Sequence, residues 1–145
     1  MLITPYYPLR NGPAFDWTEA EKYWTPLGSD VIRALFAAHR GAETASIRKD
    51  MPFLLTQDDI GRMMARSRGR CEVSGLQFNA DKVGGARKRP YLPSIDRIKA
   101  KEPYRPDNCR LVCCAVNIAI NDWGDAVFYK IALASAELKS RDEAA

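Results

Sequence analysis

Apolar residues recur at helical spacing in several stretches of the chain. Trp17, Ala20, Tyr23 and Trp24 follow Asp16 and stop before Pro26, which predicts a short helix. Ser29 reads as the N-cap of a second helix, with Val31, Ile32, Leu35 and Phe36 on one face and Gly41 as its end. Residues 42–54 are mixed in pattern, because Ala45, Ile47 and Met51 could extend a helix that Pro52 stops. Thr56, followed by Asp58 and Asp59, marks another N-terminus. Ile60, Met63 and Met64 then give the buried face of a helix running to about Ser67.

The period changes after Gly69. Arg70 to Gly75 reads as a knuckle of short strand, turn and return, and residues 79–90 as a polar, basic loop. Two strands are expected at 92–98 and 109–114, separated by a turn that holds Pro103, Pro106, Asp107 and Asn108. Helical spacing resumes at Ala115, Val116, Ala119 and Ile120, pauses at Trp123-Gly124, and restarts at Asp125 with Val127, Phe128, Ile131 and Leu138. Residues 1–15, with three prolines, suit an extended arm, and all three tryptophans are assigned to the core. The fold class is therefore α+β. An N-terminal arm and helical extension (1–55) precede a core with a C-terminal helix (56–145).

Length and composition suit one ordinary domain: 145 residues, 46% hydrophobic and 28% charged. No apolar run reaches the length of a membrane span and the first residues lack a signal-peptide pattern, so a cytoplasmic location, with reduced thiols, is expected. Charge changes the picture more. Residues 62–110 carry 13 Lys and Arg against 5 Asp and Glu, net +8, while residues 1–61 and 111–145 are each net −2. A basic block of that density suits a polyanion such as DNA, whose phosphates release condensed counterions when neutralised; a solvated basic loop is the alternative. Arg66, Arg68, Arg70, Arg87, Lys88, Arg89, Arg97, Lys99 and Arg110 are the candidate phosphate contacts.

Within this block lie Cys71-Glu72-Val73-Ser74-Gly75, Pro93-Ser94-Ile95-Asp96-Arg97-Ile98, and Tyr104-Arg105-Pro106-Asp107-Asn108-Cys109-Arg110-Leu111-Val112-Cys113, followed by Asn117 and Asp122-Trp123. Over residues 56–130 this succession resembles the HNH endonuclease superfamily, in particular phage and bacterial members with a Ser-x-Asp-Arg-Ile element. The resemblance implies a ββα-metal core, a β-hairpin and helix around one divalent ion, Mg²⁺ or Mn²⁺. It further implies that Asp96 and Asn117 are metal ligands, that Asn121 assists one turn later, and that Asn108 fixes the loop. The activity implied is metal-dependent cleavage or nicking of DNA by a phage-encoded or bacterial protein, with Asp96, Arg97, Asn108 and Asn117 at the catalytic centre.

Two departures from the family pattern stand out. Arg97 occupies the place of the general-base histidine, and a guanidinium stays protonated at ordinary pH. The single histidine, His39, lies on the second predicted helix, where a half-buried structural role is expected. The family's four-cysteine zinc site is reduced to Cys71 and Cys113, with Ser74 and Val116 in the other two places. Packing of the two remaining thiols is expected in place of Zn²⁺, although Cys109 and Cys114 lie nearby. A catalytically retired DNA-binding module is accordingly the second reading. Docking of an acidic protein partner, through the N-terminal helices, is the third.

Overall fold

The computed structural model describes residues 15–85 and 89–144, so all of the arm expected at 1–15 except Phe15 lies outside the described residues. The first helix, α1 (Thr18–Trp24), buries Ala20 and Trp24 on one face and stops at Pro26, which cannot donate to the preceding turn. Gly28, at φ +94°, turns the chain into α2 (Ser29–Arg48), so the N-cap is Gly28 and Ser29 is the first helical residue.

The predicted end of α2 at Gly41 is corrected: the helix runs unbroken through it to Arg48. Glycine inside a helix costs about 1 kcal/mol relative to alanine. Buried Val31, Leu35, Ala42 and Ser46 fall along one face on both sides of Gly41, and their packing outweighs that cost. The helix ends where Asp50 takes a left-handed conformation ahead of Pro52.

Helix α3 (Gln57–Ser67) is capped reciprocally. Thr56 Oγ1 accepts from the Asp59 N–H at 3.1 Å, and Asp59 Oδ2 accepts from the Thr56 N–H at 2.9 Å. The buried Trp24 ties α1 to α3 by donating from Nε1 to the Met64 carbonyl at 2.9 Å, and its ring packs against Phe78. The knuckle forms as expected: Arg70 bridges Gln77 in antiparallel fashion, and the Cys71 N–H donates to the Leu76 carbonyl.

A two-stranded antiparallel sheet follows, β1 (Pro93–Arg97) against β2 (Cys109–Cys113), with Asp96 directly opposite Arg110. Helix α4 (Cys114–Ile120) leaves β2 without a loop, a 3₁₀ turn covers Asn121–Trp123, and α5 (Asp125–Ala144) completes the described chain. Helix α2 lies against β1, while α3 and the knuckle lie against β2. One buried cluster joins Trp24, Val31 and Leu35 to Ile60, Phe78, Leu111 and Val112, so the described residues before and after position 55 share a core. Trp17 packs against that cluster, but Trp123, expected in the core, is 67% exposed.

A Cβ at Gly41 would meet nothing within 4 Å. Gly41→Ala is therefore expected to stabilise the protein by about 0.5–1 kcal/mol through the lost freedom of the unfolded chain. Urea unfolding checks this, and a lower midpoint would contradict the continuous helix.

Candidate functional site

The site is built where the hairpin meets α4. Asp96, Arg97 and Ile95 from β1 line a polar cavity of about 160 Å³, together with Asn117 from α4, Asn121 and Asp122 from the following 3₁₀ turn, Ala100 and Tyr104 from the hairpin loop, and Lys49 from the end of α2. The structure thus brings Asp96, Arg97, Asn117 and Asn121 together. Nothing in the sequence points to Lys49, and Asp122 figures there only as part of the motif, with no role at the site; the return of α2 onto β1 and the tight turn after α4 bring them here.

Asn108 sits just outside the cavity and clamps the loop between the strands. Its Oδ1 accepts from the Lys99 N–H at 2.9 Å, and its Nδ2 donates to the carbonyls of Lys99, Glu102 and Pro103 at 3.1, 3.3 and 3.0 Å. Buried with all these bonds made, it replaces the ladder that the loop backbone lacks. On the cavity wall, Asn117 Nδ2 donates to Ser94 Oγ at 2.8 Å, which orients the amide between α4 and β1.

Asp96 is buried and accepts from Arg110 Nε at 2.9 Å. The same guanidinium turns its other edge to Asp125, the first residue of α5, with Nη1 donating to Oδ2 at 2.9 Å and Nη2 donating to Oδ1. Arg110, expected on phosphate, is thus held between two carboxylates with its side chain only 12% exposed. Burial pushes the Asp96 carboxyl above its ordinary pKa despite the pull of Arg110, whereas the Arg110 hydrogen bonds hold Asp125 below its own.

Arg97 stacks over the Tyr104 ring at 4.8 Å, with Nη1 close to Met51 Sδ and the Glu102 carbonyl. His39 takes the structural role expected of it: Nε2 lies 3.0 Å from the Leu55 carbonyl and its ring packs on Phe53.

Several other members of the basic block have intramolecular partners. Arg66 grips Glu72 with two bonds and reaches the Cys109 carbonyl, Arg68 lies over Tyr23, and Arg70 donates to the Gly75 carbonyl. Arg89 pairs with Asp30 and Lys99 with Glu102. Arg87 and Lys88 lie outside the described residues. Charge density alone does not separate struts of this kind from free cations.

All four cysteines are free thiols. Cys71 and Cys113 are buried in mutual contact, with the Ser74 N–H donating to Cys71 Sγ at 3.4 Å. The hydrogen bond from Cys113 pulls the Cys71 thiol down and pushes the Cys113 thiol up. Burial pushes Cys109 up to about 12.

The chain matches no family model, no curated protein and no solved structure.

Arg110→Gln is expected to cost about 3–5 kcal/mol at neutral pH, because it leaves Asp96 buried without its partner. Loss of Arg110 removes the attraction that opposes burial, so the folded-state pKa of Asp96 rises further above 3.8. A raised carboxyl contributes stability below its unfolded pKa and loses it as pH rises. The depressed Asp125 carboxyl acts in the same direction, since its stabilisation above 3.8 also disappears with Arg110. Urea unfolding should therefore show a smaller gap from wild type near pH 4 than at neutrality, and a gap constant with pH would refute this account.

Proposed function

We propose that the chain is an HNH-like, divalent-metal-dependent nuclease that cleaves or nicks DNA. The observation that carries this reading is the delivery of Asp96 and Asn117 to one polar cavity by a β-hairpin and the helix directly after it. The donors around that cavity are carboxylate and amide oxygens, a hard set that fits Mg²⁺ or Mn²⁺. No group of three or more His, Cys, Asp or Glu that could hold a metal occurs among the described residues. An ion here would be held by Asp96 and Asn117, with Asn121 and water completing its shell. When bound, such an ion neutralises charge on the scissile phosphodiester and lowers the pKa of a coordinated water.

The chain's own groups have distinct tasks in this reading. Asn117 is oriented by Ser94 through its nitrogen, a bond that does not use the amide oxygen. Arg110 holds Asp96, and Asn108 holds the loop that presents Tyr104, on whose ring Arg97 stacks. Arg97, permanently charged, binds the phosphate and takes no proton. The absence of a base in its place slows turnover, by about 10²- to 10⁴-fold on the general scale of such catalysis.

Supercoiled plasmid is expected to be nicked with Mg²⁺ or Mn²⁺, and protected by chelation of the metal. Asn117→Ala, checked for an unchanged unfolding midpoint, should abolish nicking, and Arg97→His should raise it about 10²-fold. No cleavage by the wild type with either metal would overturn the enzymatic reading.

The second reading, a DNA-binding module without turnover, is favoured specifically by Arg97 in the place of the base. It requires binding to linear duplex that falls steeply with salt and persists without metal and in Asn117→Ala. Affinity indifferent to salt would exclude it.

A further inference from the structure

Helix α5 is 20 residues long, yet none of its described residues is buried; it packs mainly on α4 and the adjoining 3₁₀ turn, and Arg110 holds its first residue, Asp125. An isolated helix of this length is marginal in water and gains its stability from covering an apolar face. Such a face is present. Val127, Ile131, Ala134 and Leu138 follow one another at spacings of four, three and four, the repeat of a coiled-coil seam. Ile131 is 62% and Leu138 58% exposed. At the N-terminal end of the seam, Trp123, Val127, Phe128 and Ile131 line an apolar hollow of about 500 Å³.

We propose that α5 is a dimerisation helix whose partner is a second copy of this chain, paired antiparallel. A two-fold axis between residues 132 and 133 sets Val127 against the partner's Leu138, and Ile131 against the partner's Ala134. The partner's Leu138 then enters the hollow beside Trp123.

Charge selects this arrangement. In the antiparallel register the flanking position held by Lys130 faces the partner's Glu137, and the symmetry makes that contact twice. A parallel pair would set Glu137 against the partner's Asp142, two like charges. Among the described residues Glu137 bonds only the exposed Arg141 one turn away, an interaction weak enough to yield. An isologous contact of this kind closes on itself and leaves no open edge.

Sedimentation equilibrium on the full chain across a hundredfold concentration range tests the proposal. The expected result is a rise from the 16.3 kDa monomer towards twice that mass. Leu138→Asp, at an exposed position, should remain monomeric throughout with unchanged circular dichroism. Lys130→Glu and Glu137→Lys should each weaken self-association, and an equimolar mixture of the two should recover it, because each then opposes charges of the other sign. A wild type that stays monomeric, or a dimer indifferent to Leu138→Asp, overturns the dimer. Failure of the mixture to recover association overturns the antiparallel register.

Discussion

The contact between Arg110 and its two carboxylates holds together the parts on which everything else depends. Placing three ionised groups at the edge of a small core carries a desolvation cost that a loose geometry would not repay. Here the geometry is close: Arg110 faces Asp96 across the hairpin, and its planar fork receives both oxygens of Asp125. One side chain therefore joins β1 to β2 and both strands to the first turn of α5. Asp125 also lies at the positive end of that helix, where an anion is favoured. The direction in which α5 leaves the body and the position of the Asp96 carboxylate are consequences of the same contact.

A second set of polar contacts does similar work along the edge of β2 that faces away from β1. The Glu72 N–H donates to the Leu111 carbonyl, the Leu111 N–H donates to the Glu72 carboxylate, and that carboxylate is gripped by Arg66 from α3. With two short strands the sheet is too small to support itself. The knuckle, tied on by Glu72, serves in place of a third strand, while α2 covers β1. The cavity beside Asp96 exists because the framework is built this way, with the end of α2 carried over the hairpin to bring Lys49 to its wall.

What was legible in the sequence was what local chemistry dictates. The capping of α3 by Thr56, the stop at Pro26, the hairpin strands and the break at Gly124 all follow from residues within a turn of one another. The course of α2 was not legible, because glycine at 41 lowers the intrinsic preference for helix without forbidding it, and the deciding contacts come from β1, some fifty residues further along. The candidate site divides along the same line. Asp96, Asn108 and Asn117 are named by their places in a motif, but the partners that orient them, Arg110, the loop carbonyls and Ser94, depend on register. Arg66 and Arg110 read in the sequence as candidate phosphate contacts for the same reason: a sequence lists charges, and only the fold pairs them.

Periodicity has a matching limit, visible in the aromatic and aliphatic positions after residue 120. Trp24 and Trp123 both sit at the end of a short helical pattern, and nothing local distinguishes them. Trp24 is buried because α3 supplies the Met64 carbonyl for its indole N–H and Phe78 supplies a ring; among the described residues no comparable neighbour covers Trp123, which is left exposed. An apolar stripe records that a face is to be covered and leaves open by what. In α1, α2 and α3 the cover comes from the same chain. In α5, with its first turn fixed by Arg110 at the margin of the body, the geometry that secures the helix also directs its seam outward, so that whatever covers it must come from outside the described fold.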